Sequence, residues 1–292
     1  MKWERIRIAV MLAPTLLVIG ILFFGSLAYG FLQSLGYNPS IGATEINFDA
    51  YLSVMFSQEY AGRFWSGLAL SLWVAFCSTF VSATVAIFVA LLLRRTFFGK
   101  KLAVFFFQLN LPIPHLVIAV GMIMLFSQSG LVSRMLGELG LVTSPRDFPA
   151  LTKDAYGIGI ILAYVWKEVA FFGIIVLAIL QSLGEDYEAV AQSLGANRLQ
   201  RFRTVTLPLI MPGLMSASII VFAFTFGSYE VPRILGVGYP KMLPVMSLDF
   251  FLNPDLNARA EGMALSMIIA FIVLVLICIY MYISARTVRR KD

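Results

Sequence analysis

Apolar residues in this chain come in long blocks, and the polar residues collect in the stretches between them. A helix needs about 20 apolar residues to cross the hydrocarbon core of a bilayer. Six blocks reach that length, near residues 8–31, 67–93, 102–127, 157–181, 209–232 and 262–285. Several contain Pro or Gly, which membrane helices tolerate where neighbouring helices satisfy the freed backbone groups. The first block is longer than the roughly 7–15-residue apolar core of a cleaved signal peptide, so it reads as a retained helix. The pattern predicts an all-α integral membrane protein with six transmembrane helices in one membrane domain over residues 1–292. It shows no solenoid-type repeat and no separate soluble domain.

The intervening stretches differ in character. Residues 33–66 hold Gly36, Asn38, Pro39 and Gly42 and then a polar run. In 129–156, Leu131, Val132, Met135, Leu136 and Leu139 recur at helical spacing, predicting a short helix at the outer membrane surface. Residues 233–261, with Gly236, Gly238, Pro240, Pro244 and Pro254, read as an irregular cap.

An even number of spans puts both termini on one side, and charge selects it. Lys2, Arg5, Arg7, Arg94, Arg95, Lys100, Lys101, Arg198, Arg201, Arg203, Arg286, Arg289, Arg290 and Lys291 would share that side, fourteen cations in all. The opposite loops hold seven, Arg63, Arg134, Arg146, Lys153, Arg233, Lys241 and Arg259. The positive-inside rule then makes both termini cytoplasmic.

Composition agrees: 60% of residues are hydrophobic and 13% charged, against about 25% charged in a soluble domain. A net charge of +6 could suit nucleic acid, but the cations sit at the ends of apolar runs, so the expected surroundings are lipid and no nucleic acid. Cys77 and Cys278 each lie within an apolar run and read as packing residues. With His115 the only histidine, no Cys/His metal cluster is possible, and no metal site is expected.

The longest charged amphipathic stretch lies between the fourth and fifth blocks, over 182–208. Tyr187, Val190, Ala191 and Leu194 fall at i, i+3, i+4 and i+7, one face of a helix. Glu185, Asp186 and Glu188 favour its N-terminus, and Gly195 suits its stop. Asn197 is a candidate cap for a second short helix, and Pro208 suits entry to the fifth span. Small residues Ala189, Ala191, Gly195 and Ala196 allow another surface to come close. Amphipathicity alone leaves two readings open: insertion into a cytosolic partner, or packing on the membrane or its own bundle.

This stretch resembles the conserved loop of permease subunits of binding-protein-dependent ABC importers, with their Glu-Ala-Ala, Gly and Leu-Pro pattern. Aligned on Gly195, the likeness runs through Ala196, Phe202, Val205, Leu207 and Pro208. It departs at the start, where Ala189 stands in the Glu slot and Glu188 lies one place early. The likeness extends over about 60–285, including Trp166, Met211-Pro-Gly213 and the run from Phe226 to Gly236. It implies a type I fold with a cytoplasmic coupling helix between helices 4 and 5. It also implies two ATPase subunits, a second homologous permease and an extracytoplasmic solute-binding protein. Tyr187, Glu188, Ala189, Ala191, Leu194, Gly195 and Ala196 would couple to the ATPase. ATP and Mg would bind the ATPase and no cofactor this chain, so no catalytic residue is expected; consistently, no Gly-x-x-x-x-Gly-Lys-Ser/Thr loop occurs. The 226–236 run is most similar to the spermidine/putrescine group; ferric iron, opine or amino-acid-like compounds and organophosphonates are the alternative substrates.

Six residues are candidates for the substrate pathway: His115, Trp166, Glu168, Phe226, Tyr229 and Glu230. Glu230, near the outer end of the fifth block, would face a watery cavity or simply reach the interface. Lys167 and Glu168, inside the fourth, would form a gate or a structural contact, with at least one facing the bundle interior. His115 follows Pro112 and Pro114, which must bend or break the third span, and is either a pathway donor or a packing histidine. Phe224, Phe226 and Tyr229 could meet a substrate's cations or methylenes. A stand-alone secondary transporter or channel is the competing class, but Glu168 and Glu230 form no cluster of ion-coupling carboxylates.

Overall fold

The computed structural model describes residues 2–94, 96–182 and 186–289. These residues are mostly helical, with no β-strand among them. Thirteen α-helices follow in order among the described residues: α1 (Lys2–Ser34), α2 (Asp49–Phe56), α3 (Ala61–Arg94), α4 (Lys100–Gln108), α5 (His115–Phe126), α6 (Leu131–Glu138), α7 (Ile158–Ser182), α8 (Asp186–Ser193), α9 (Arg198–Arg201), α10 (Leu207–Gly227), α11 (Glu230–Leu235), α12 (Leu243–Phe251) and α13 (Arg259–Arg289). Among the described residues, six stretches are long and apolar enough to cross a membrane.

The chain divides into two compact units. One comprises Met1–Trp65 and Met246–Phe271, the other Ser66–Val245 and Ile272–Asp292. In the first, α1 is apolar around its whole circumference, and none of its most apolar window is buried by the chain itself. Such a surface requires lipid or another subunit around it. Its far end is tied down where Ser34 Oγ and Tyr51 Oη share a hydrogen bond of 2.7 Å. Ser247 Oγ donates to Gly262 O at 2.8 Å, a close approach that a side chain at 262 would crowd.

The second unit is built around α7. Twelve of its 25 residues are buried. One end packs in a cluster with Leu70, Ile118, Met122, Val231 and Leu235, and the other with Ala86, Ala90, Ile210, Leu214 and Ala217. Lipid removes most of the hydrophobic incentive for helices to associate, so close packing through small residues must supply it. Gly173 shows this: a Cβ there would lie 2.5 Å from the ring of Phe107.

The structure departs from the sequence pattern in three places. The third block is not one helix; α4 ends at Gln108 and α5 begins at His115. Pro112 and Pro114 lack the N–H groups that a continuous helix would use, so the intervening backbone unwinds. The fifth block ends at Gly227, and Glu230 opens the separate helix α11. The expected irregular cap contains a helix, α12, which the prolines flank or start rather than interrupt. The short helix expected near 131–139 is present as α6.

Candidate functional site

Two places in the second unit gather the predicted residues. The first is the segment from α8 to α10. Gly184 and Glu185, read as the start of the coupling helix, lie outside the described residues, as do Arg95, Arg290 and Lys291. The helix α8 stops at a Schellman turn: Ala196 N–H bonds Ala191 O at 3.0 Å, and Gly195 N–H bonds Gln192 O at 2.9 Å. Gly195 takes φ +84°, which a residue with a side chain adopts only under strain. Asn197 and Gln200 then form a reciprocal capping box that starts α9. A π-helical run over Phe202–Thr206 carries α9 into α10 without a break.

The orientation of α8 bears on one of the readings left open by its amphipathicity, packing on its own bundle. Its apolar side faces outward: Tyr187 is 58% exposed, Val190 61% and Leu194 82%. Its acidic side faces the bundle. Glu188 Oε1 accepts from Arg94 Nη1, at the end of α3, at 2.6 Å and from Thr206 Oγ1 at 2.7 Å. Arg201 donates to Gln192 on the same side. Partial burial alone would raise the Glu188 carboxyl, but the Thr206 and Arg94 hydrogen bonds, with the Arg94 and Arg201 charges, outweigh it and hold the group below the usual carboxylate range. The apolar face of α8 thus does not pack on this chain's own bundle in this conformation. Ala189 is exposed, while Ala191 and Ala196 are half-buried.

The second place is the gap between α4 and α5. Lys167 reaches into it from α7. Its ammonium donates to the carbonyls of Asn110 at 2.9 Å, Leu111 at 2.6 Å and Ile113 at 2.6 Å. The ammonium has three N–H donors, and all three are used on carbonyls of the unwound segment. Asn110 Nδ2 returns a bond to Trp166 O. Glu168 turns the other way and meets His115 Nε2 at 3.1 Å. Both members of the Lys167–Glu168 pair are thus buried, each with its own partner on the broken span.

Aromatic rings surround His115, with Phe224 at 4.7 Å and Tyr164 at 6.1 Å between ring centres. Trp166, Phe224 and Tyr229 are each about half exposed, and Glu230 is exposed in the first turn of α11. Phe226 does not join them. It is fully buried and stacks on Phe222 at 6.0 Å, apart from the exposed aromatics. Sequence reasoning put weight on aromatic type; only the direction of each side chain on α10 separates Phe224 from Phe226. Lys167's three-carbonyl role was likewise missed, although the Pro-x-Pro break signalled that donors would be needed. Among the described residues no group of His, Cys, Asp and Glu is placed to hold a metal ion.

Comparisons with known proteins agree with this architecture. Residues 82–291 match the family model described as binding-protein-dependent transport system inner membrane component. The Probable ABC transporter permease protein y4oQ of Sinorhizobium fredii is 30% identical over 249 residues, covering 81% of this chain and 77% of that protein. The thiamine transport system permease protein ThiP of Brucella suis is 28% identical over 265 residues; the match covers 87% of this chain and 44% of ThiP, less than half of its length. A bacterial alginate ABC transporter, solved with an alginate pentasaccharide-bound periplasmic protein, contains a chain of the same fold, with a TM-score of 0.79 and 21% identity over 98% of this chain and 97% of that one. The solutes in those two names, thiamine and alginate, are chemically unlike. The chain belongs to the binding-protein-dependent transport system inner membrane components: it is a multi-pass inner-membrane permease subunit of an ABC importer and not its ATPase.

Proposed function

We propose that this permease carries a small polar or cationic solute, of the polyamine class, and that α8 is the lever by which ATPase subunits drive it. The observation that carries the reading is the outward apolar face of α8, with its acidic side bonded inward to α3 and to the π-helical run that leads into α10. A partner gripping Tyr187, Val190 and Leu194 pulls on a helix fixed at Arg94 and Thr206. Movement passes along α10 to α7, against which it packs, and so to the Lys167 and Glu168 contacts on the broken span. This is alternating access by rigid-body movement, with two ATPase subunits binding ATP and Mg, a second permease completing the pathway and a soluble binding protein delivering the solute.

The cationic preference rests on what the second unit presents at its surface. Glu230, Tyr229, Phe224 and Trp166 are exposed, with the His115–Glu168 pair beside Phe224. Carboxylates and aromatic faces both attract ammonium groups.

The test is ATP hydrolysis by the co-purified complex in proteoliposomes, with its binding protein and a panel of solutes. Stimulation by spermidine or putrescine, reduced about tenfold or more in affinity by Glu230→Gln or Trp166→Ala, is the expected result. Stimulation by a different solute keeps the lever and replaces the substrate. Solute flux with no ATPase subunit recovered would remove the importer mechanism altogether.

A further inference from the structure

The second unit holds two separate apolar clusters, and the same four stretches of chain contribute to both: α3, α4–α5, α7 and α10–α11. Between its two contributions, each stretch carries polar groups. On α3 these are Ser78 and Ser82, after Val74 of the first cluster and before Ala86 of the second. On α7 they are Lys167 and Glu168, between Tyr164 and Phe172. On α10 it is Thr225, after Val221 of the second cluster and before Val231 of the first. In the third span it is Asn110 with the unwound backbone, between Phe107 and Ile113. A polar layer therefore separates the two clusters on every one of these stretches.

Hydrogen bonding in this layer is incomplete. Neighbouring hydroxyls on α3 and α10 donate back to their own helices: Thr79 to Ala75 O at 2.7 Å, Thr84 to Phe80 O at 2.8 Å and Ser218 to Leu214 O at 2.8 Å. Ser78, Ser82 and Thr225 are fully buried, and their hydroxyls have no partner; Asn110 Oδ1 has none either. These atoms are enclosed by protein, so the explanation is not a bound molecule. A buried polar group without a partner favours any rearrangement that lets water or a new partner reach it. The clusters on either side are close-packed and lose contacts if they shear. The layer has least to lose, and the third span beside it is already unwound.

We propose that the second unit parts along this polar layer as the importer changes state. The two apolar clusters move as blocks, the unwound backbone between α4 and α5 is the hinge, and water enters to meet Ser78, Ser82 and Thr225. Lys167 keeps the hinge backbone bonded during the movement, because a flexible ammonium can turn its donors as the carbonyls shift. The closed layer is then one of two arrangements of a packed element, the bistable kind of contact through which small shifts become large ones. The proposal rests on the chain's membership of an ATP-driven importer and is independent of the polyamine reading and of the face of α8.

The test uses the co-purified complex with its binding protein, after Cys77→Ala and Cys278→Ala. Ser78→Cys, Ser82→Cys and Thr225→Cys are made singly in the layer, and Ala163→Cys and Ala90→Cys in the flanking clusters. A small water-soluble methanethiosulfonate reports hydration at each position, since the thiolate is the reacting form. Rates are compared without nucleotide and with ATP plus EDTA, after trypsin protection of the ATPase subunit has shown that the two samples differ in state. Expected is a change of at least tenfold between states at the layer positions and of less than twofold at Ala163 and Ala90. Equal rates in both states at all three layer positions, or an equally large change in the flanking clusters, overturns the proposal. The combined variant Ser78→Ala, Ser82→Ala and Thr225→Val makes the layer apolar and favours its closed arrangement. It should keep its thermal midpoint and hydrolyse ATP at least threefold more slowly than the parent complex. Hydrolysis at the parent rate would show that the cycle never opens the layer, and a lowered midpoint would show that the hydroxyls hold the unit together; either result also overturns the proposal.

Discussion

Lys167 shows how one side chain can replace a missing stretch of helix. Pro112 and Pro114 leave carbonyls without their helical donors, and the lysine ammonium supplies three bonds of 2.6–2.9 Å to that backbone. Removing it leaves several carbonyls unsatisfied in a largely buried place. Lys167→Met should therefore destabilise the protein by about 2–4 kcal/mol, since a hydrogen bond to a charged group contributes roughly 1.5–3 kcal/mol and orphaned acceptors add to the loss. Thermal unfolding of the purified variant in detergent measures this; an unchanged midpoint would mean that the ammonium does not hold the break. Glu188 poses a different test, because it titrates outside the spans. Its carboxyl is held below the ordinary value of 4.5, so the unfolded segment binds a proton more readily than the anchored one. The stabilisation from Arg94 and Thr206 is thus fully present above the ordinary carboxylate range and is lost as pH falls through the lowered folded-state value. Hydrogen exchange over 186–194, corrected for intrinsic rates, should show α8 loosening at acid pH. Glu188→Gln should show weaker protection already at neutral pH and no acid step. An acid step of the same size in that variant would assign the effect to another group.

The helix α8 needed the structure to be understood, although its residues were readable beforehand. Tyr187, Val190 and Leu194 announce a face by spacing alone, and Gly195 announces a stop. Spacing cannot say which way the face points, since that depends on Arg94, 94 residues distant, reaching Glu188. The same limit applies elsewhere. Pro112 and Pro114 foretold a break, but the lysine that fills it comes from α7, more than 50 residues on. Phe224 and Phe226 are equivalent by composition and opposite in burial. Gly195 separates backbone need from partner contact. A Cβ there would meet nothing within 4 Å, so substitution costs only the left-handed backbone, about 1–2 kcal/mol for most residues. Asn tolerates that conformation, so Gly195→Asn should leave permease stability within about 1 kcal/mol of the parent. It would still place a side chain beside Leu194, where the ATPase is proposed to bind. Transport per ATP hydrolysed should fall several-fold in the reconstituted variant. Full coupling with Asn in place would show that no partner approaches this turn closely.

Taken over the whole chain, the six apolar blocks were legible because length against bilayer thickness is a one-dimensional property. Some ends moved by a few residues, but the third membrane-long stretch runs over His115–Glu138 instead of 102–127, and the fifth over Arg198–Gly227 instead of 209–232. The pocket lined by Gln33, Asn38 and Glu261 was invisible beforehand, because these residues meet only through the fold. Orientation is a third kind of property. It is written in the sequence as fourteen cations against seven, yet helix geometry does not fix it. The positive-inside rule predicts that the loop between α3 and α4 faces the cytoplasm and the loop between α6 and α7 faces outward. Phe98 and Tyr156 are suitable reporters, because both are strongly exposed and the α4–α5 span separates them in the chain. With Cys77 and Cys278 replaced by alanine, Tyr156→Cys in spheroplasts should react with a membrane-impermeant maleimide. Phe98→Cys should react only after the membrane is permeabilised. The reverse pattern would turn the protein over and place α8 outside, where no ATP-driven partner could grip it. The coupling proposal would then fail together with the orientation, because the face of Tyr187, Val190 and Leu194 works as a lever only on the side that holds ATP.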